Sequence, residues 1–408
     1  MSLDTFASSF SKVLLSDAFC KSSVAFHSDV SVKSELVSAR GSLGNRTDVK
    51  QERCIKGCGE QALMQTSKDI ERNTKMEALE ILKKLNTSFG PSGNEGEVAK
   101  KIRAMVRPYA DDIKTDTMGN LICHVKGKGP KLMIAAHMDS IGLIVTHIEK
   151  NGMLRFGAVG GVHAADILSM PVRFKDGLTG VVNQNDDAKK PEIDSMFIDI
   201  GATTKAEAEK MVTLGDMAVW DTPVKALGKD YVASPYIDNR AGCAAAMLAM
   251  ELLGNPKTRK KALSYDTYFV FTVQEEVGLR GAKPASFGID PEYGIVVDTT
   301  LVDDIPKSNH TGTSVLGGGA AIKVMDKSVI CHPEMVEALS AKAKSKKIKY
   351  QLDVLKAGGT DAGEMRKNAC GVWTGGVSVA TRYIHSPQEV CSISDINSCA
   401  KLLAEFCK

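Results

Sequence analysis

Two imidazoles and several carboxylates stand where short apolar runs would aim them at one place. Leu132-Met133-Ile134-Ala135-Ala136 runs into His137, and Phe269-Val270-Phe271-Thr272-Val273 runs into Gln274-Glu275-Glu276. Ile295-Val296-Val297 meets Asp298, and Val377-Ser378-Val379-Ala380 leads through Arg382-Tyr383-Ile384 to His385. Runs this short read as buried strands. In open α/β sheets, ligands bind beyond the carboxyl ends of the strands, so four such ends define one site. A fifth group, Asp238, stands just before a helix rich in small residues at 241–253. Two His and three carboxylates suit zinc, cobalt or manganese better than calcium. Five donors exceed what one tetrahedral zinc with an open position takes. They fit two metals at ~3.5–4 Å if one carboxylate bridges. Asp139, two residues after His137, could fix the tautomer of a metal-bound imidazole. Of the adjacent pair Glu275 and Glu276, one could bind metal while its neighbour faces the substrate.

Each residue alone also has a plainer reading. His137 could be a hydrogen-bonded core histidine, the glutamates a solvated pair, and Asp298 a turn residue. Asp238 could be a helix N-cap, and His385, before Ser386-Pro387, a surface turn. All five at strand or helix ends favours the shared site. Rival chemistries lack their signatures. Gly317-Gly318-Gly319 and Gly358-Gly359 match neither a P-loop nor a dinucleotide fingerprint. No G-x-S-x-G nucleophile elbow occurs. Two glutamates adjacent in sequence cannot flank a glycosidic bond. His124, His147, His163, His310 and His332 form no usable pattern.

The elements that must position these groups alternate along the chain. Met76, Leu79, Ile81, Leu82 and Leu85 lie at helical spacing, stopped by Pro91-Ser92-Gly93. Helices are predicted at 95–106, 241–253 and 333–347, and strands at 120–125, 131–136, 268–273, 293–297, 351–355 and 376–380. That alternation predicts an α/β sheet. Residues 146–228 are glycine-rich with short β-like pieces, as expected of a small β-rich domain inserted between 76–145 and 229–408. Residues 1–75 are serine-rich at the start, with no apolar period and no Arg before Arg40. They read as a disordered tail, an organelle transit peptide or sequence upstream of a start at Met76.

The whole-chain numbers exclude several classes. The 408 residues are 43% hydrophobic and 25% charged, which is globular. No apolar run reaches the ~18 residues of a membrane span. A net charge of +3 supplies no field for nucleic acid or an anionic membrane. The ten cysteines are scattered, as in reduced cytoplasmic proteins. The lone Cys54-x3-Cys58 has no second pair to complete a zinc knuckle.

Six motifs in order resemble the M42 metalloaminopeptidases, the tetrahedral, glutamyl- or leucyl-type enzymes. They are Ala136-His137-Met138-Asp139, Ile237-Asp238-Asn239-Arg240-Ala241-Gly242, Val273-Gln274-Glu275-Glu276-Val277-Gly278, Val297-Asp298-Thr299-Thr300, Gly358-Gly359-Thr360-Asp361-Ala362 and Arg382-Tyr383-Ile384-His385-Ser386-Pro387. The resemblance spans about residues 76–408. It implies a mixed-sheet, three-layer peptidase domain with an inserted, barrel-like dimerisation domain. It implies that His137 and Asp298 bind one metal, Glu276 and His385 the other, with Asp238 bridging. Glu275 would be the general base, and Asp139 would orient His137. Peptides would be trimmed from the amino end by dimers that assemble up to dodecamers. Ser140 replaces the family's usual Glu, and Asn239 its frequent Asp. An amidase or carboxypeptidase on a related fold, or a non-catalytic assembly protein, are the competing expectations.

Overall fold

The computed structural model describes residues 76–309 and 311–408. The expectations for residues 1–75, including Cys54 and Cys58, lie outside the described residues. Strands β1 (Asp112–Thr115), β2 (Leu121–Val125) and β3 (Lys131–His137) come first. Six strands then close a barrel: β4 (Gly142–Ile148), β5 (Leu154–Val159), β6 (Pro171–Phe174), β7 (Thr179–Gln184), β8 (Met196–Asp199) and β9 (Met217–Trp220), in the order β4-β5-β8-β7-β6-β9. The chain returns with β10 (Lys225–Leu227), β11 (Tyr231–Ser234), β12 (Asp266–Thr272) and β13 (Tyr293–Leu301). It ends with β14 (Ala320–Met325), β15 (Tyr350–Val354), β16 (Trp373–Arg382) and β17 (Glu389–Ser392). Outside the barrel these make an 11-stranded sheet in the order β1-β2-β12-β3-β13-β16-β17-β11-β10, with β14 bonded to β16 and β15 to β14.

The sheet is mixed. Its centre, β12-β3-β13-β16, is parallel, so these four strands present their carboxyl ends at one edge. The flanks are antiparallel, except that β15 runs parallel to β14. Alternate side chains of β3 enter different layers, as the period of a strand requires. Leu132, Ile134 and Ala136 join the larger core, and Met133 and Ala135 the smaller one.

Helices α1 (Ala78–Asn86), α2 (Gly96–Val106), α3 (Ile237–Leu253), α5 (Pro333–Ser345) and α6 (Ile393–Cys407) supply apolar faces to the larger core. Helix α4 (Ala282–Ile289) covers the opposite face through Ala285 and Ile289. The three layers expected are therefore present, and the barrel has its own core built on Leu143, Phe156, Val172, Ile198 and Trp220. Ser392 caps α6 by accepting the Asp395 N–H. Among the described residues, no helix is long and apolar enough to cross a membrane.

The structure shifts several predicted boundaries. The barrel runs from Gly142 to Trp220, and Lys225–Leu227 belongs to the main sheet, whereas the glycine-rich texture marked 146–228. Strand β13 continues to Leu301, so Asp298 lies within it and pairs with Ser378 instead of following the strand. His137 is the last residue of β3, not the first beyond it. The sequence reading missed β14, which carries a fully buried lysine, Lys323.

Candidate active site

Helix α3 delivers Asp238 because its start cannot be regular. Asp238 and Asn239 have non-helical angles, and the regular turns begin at Arg240. Asn239 donates from Nδ2 to the Val297 carbonyl at 2.8 Å and accepts the Gly242 N–H at 3.0 Å. An aspartate could not make the first bond, which explains the amide at this position. A Cβ on Gly242 would fall 2.6 Å from the Val297 carbonyl oxygen. The glycine thus lets α3 press against β13, bringing Asp238 beside Asp298.

All the singled-out groups meet at the sheet edge. His137 Nε2 lies 3.2 Å from Asp238 Oδ1, 3.5 Å from Asp298 Oδ1 and 3.9 Å from Glu275 Oε2. His385 Nε2 lies 3.0 Å from Glu276 Oε2 and 3.5 Å from Asp238 Oδ2. The two Asp238 oxygens therefore face different imidazoles. Nδ1 of His137 is 3.4 Å from Asp139 Oδ1. Asp139 is fully buried and also accepts the N–H groups of Glu275, at 3.0 Å, and Glu276, at 3.2 Å.

Three supporting residues escaped the sequence reading. Ser92 donates to Asp139 Oδ2 at 2.7 Å, although Pro91-Ser92-Gly93 had served only as a helix stop. Glu95 accepts the N–H of Gln274 at 3.1 Å, holding the turn that swings Glu275 inward; Gln274 itself has φ 55°. Glu389 accepts the backbone N–H groups of both Asp238 and His385. None of these contacts leaves a periodic signature: three cross long stretches of chain, and only the bond from the His385 N–H to Glu389 is local, four residues apart. Ser140, at the departing position, bonds the Gly90 carbonyl.

The electrostatics are those of crowded anions. Burial first, then the charges of Asp298, Glu276 and Asp361, push Glu275 well above the usual carboxylate range, against the pull of His137. Glu276 and Asp298 are likewise raised, chiefly by burial. Burial would also raise Asp238, but the imidazoles of His137 and His385 outweigh it and hold this acid low.

A cation fits this donor set. Ligand atoms of His137, Asp238 and Glu276, and of His137, Glu275 and Asp298, lie within 4.8 Å of one another. Buried Glu276 Oε1 has no hydrogen-bond partner among the described residues. An excess of mutually repelling carboxylates around two imidazoles is what a bound divalent ion would neutralise.

Comparison with known proteins gives the class. Residues 119–402 match the family described as M42 glutamyl aminopeptidase. The lysyl aminopeptidase of Pyrococcus furiosus is 35% identical over 338 residues, covering 79% of this chain and 94% of its own. The structure of aminopeptidase APDkam598 from the archaeon Desulfurococcus kamchatkensis superposes with a TM-score of 0.76 at 38% identity, over 81% of this chain and 94% of that one. The TET1 peptidase of Pyrococcus horikoshii, described as able to assemble into a tetrahedron or a large octahedral shell, gives 0.73 at 31% identity, over 81% and 99%. Fold and site together define an aminopeptidase, a hydrolase acting on peptide bonds. The chain belongs to the M42 family.

Proposed function

We propose that this chain removes residues one at a time from the free amino ends of peptides, using two divalent cations per subunit, zinc, cobalt or manganese. The observation that carries this reading is the placement of Asp238, with one oxygen toward His137 and the other toward His385. His137 and Asp298 would hold one cation, Glu276 and His385 the second, and Asp238 both. When bound, the cations supply an acidified water and positive charge toward the scissile carbonyl.

The protein's own residues supply the rest. Glu275 is the general base: its raised carboxyl suits taking a proton from the nucleophilic water and returning it to the leaving amine. Asp139 orients His137 and indexes Glu275 through its N–H. The free α-amine of the peptide would bind near the second cation or a nearby acid, which selects the amino end. We read the barrel as the pairing surface of dimers that assemble up to dodecamers, by likeness to TET1 structures described as a dodecamer and as a tetrahedron or octahedral shell. The reading places the chain in the cytoplasm, where unpaired thiols such as Cys123, Cys243 and Cys391 persist.

The test is a short peptide offered with free and with acetylated amino ends, with and without chelator. The reading expects stepwise amino-end trimming of the free peptide alone, abolished by chelator and restored by zinc, cobalt or manganese. Release from the carboxyl end, equal rates on the acetylated peptide, or indifference to chelator would each contradict it.

A further inference from the structure

Glu389 opens β17, paired to Ser234 of β11 within the main sheet, and is 2% exposed. Its two oxygens do different jobs. Oε2 accepts the Asp238 N–H at 2.8 Å, and Oε1 accepts the His385 N–H at 2.8 Å. The two partners are far apart in the chain, so one rigid carboxylate spans two separate backbones beneath the site.

The two are not equally secured otherwise. Asp238 is held by the Asn239 bonds to Val297 and Gly242 and by the helix that follows. The Asp238 N–H, which precedes the regular turns of that helix, is satisfied by Glu389. His385 sits in a loop where it has φ 68° and Tyr383 φ 60°, left-handed conformations that side-chain-bearing residues adopt only when held. Elsewhere in the loop the Ser386 N–H bonds the Tyr383 carbonyl, the Gln388 N–H bonds the Ser386 hydroxyl and the Pro387 carbonyl accepts from Thr222, while the His385 N–H is held by Glu389.

We propose that Glu389 is a positioning residue that sets the separation of Asp238 and His385, and thereby the affinity of one cation position, that of His385 and Glu276. This rests on the two-cation reading above. Glu389→Gln keeps the shape but turns one acceptor into a donor facing an N–H. Glu389→Asp keeps the carboxyl group but is a methylene too short to reach both N–H groups.

The experiment challenges the metal-loaded full chain with graded chelator and measures the metal retained by elemental analysis, with thermal unfolding alongside. Both variants should release one of two equivalents at chelator concentrations about tenfold or more below wild type, and the other equivalent at the wild-type concentration. A merely structural role predicts parallel loss of both equivalents with a lowered Tm. Parallel loss, or wild-type release in Glu389→Asp or Glu389→Gln, overturns the role of Glu389 while leaving the two-cation reading intact. A wild type that never holds two equivalents overturns both.

Discussion

The Asp139 carboxylate accepts the backbone N–H of Glu275 at 3.0 Å. The same oxygen faces His137 Nδ1, and the other takes the Glu276 N–H and the Ser92 hydroxyl. One buried acid thus indexes an imidazole and both adjacent glutamates. In Asp139→Asn, an amide N–H₂ must face a donor. The variant should lose about 1–3 kcal/mol of stability and about 10–100-fold in kcat. Denaturant unfolding and steady-state kinetics on an aminoacyl-p-nitroanilide check both. An unchanged kcat would remove Asp139 from the site's support.

Glu275→Gln separates chemistry from architecture. Because Glu275 is assigned proton transfer and not a cation, the variant should retain its metal and its unfolding temperature. Its kcat should fall by about 10²–10⁴-fold, the usual contribution of a general base. Near-wild-type turnover would show that another group moves the proton.

The loop after β5 touches the site, and Gly161 tests that contact. A Cβ there would lie 2.5 Å from His385 Nδ1, and the residue's φ is outside the left-handed region, so alanine adds contact without backbone strain. Gly161→Ala should displace the His385 ring and cut kcat at least tenfold, with the overpacking costing about 1–3 kcal/mol or less at this exposed position. Equal activity of Gly161→Ala and wild type would mean that the ring yields freely.

How far the sequence spoke depends on what each element is made of. Strands β2, β3 and β12 were legible because their apolar runs are short, bounded and buried on both faces. Strand β14 was not, because Lys323 breaks its apolar run, and only the fold reveals that Asp353 neutralises this lysine at 2.7 Å. Asp298-Thr299-Thr300 looked like a turn, yet β-branched threonines carry β13 onward to Leu301. The side chains that the fold brings together at the sheet edge were legible from their type beside short apolar runs and a small-residue helix. Ser92, Glu95 and Glu389 were not, because a hydroxyl that donates to a distant carboxylate, or a carboxylate that accepts a distant backbone N–H, leaves no periodicity behind.

Asp361 gives a pH dependence with a definite sign. It is fully buried, and burial pushes its carboxyl up to about 7, despite the hydrogen bond from Thr272. The folded state therefore favours the protonated acid more than the unfolded chain does, whose Asp titrates near ~3.9. This contribution is complete below the unfolded value and is lost as pH rises through about 7. Asp361→Asn, neutral throughout, should unfold at nearly the wild-type temperature at pH 4.5 and above it at pH 8, both chelated. A difference that shrinks with rising pH would reverse the assignment.

The two-cation proposal turns on a single carboxylate, Asp238, whose oxygens face His137 and His385. Elemental analysis of purified wild type and Asp238→Asn, dialysed together against micromolar metal, tests it most directly. Two equivalents per subunit are expected in wild type and a clear drop in the variant, with the fold retained by circular dichroism. Two equivalents in both proteins, or none in wild type, would contradict it.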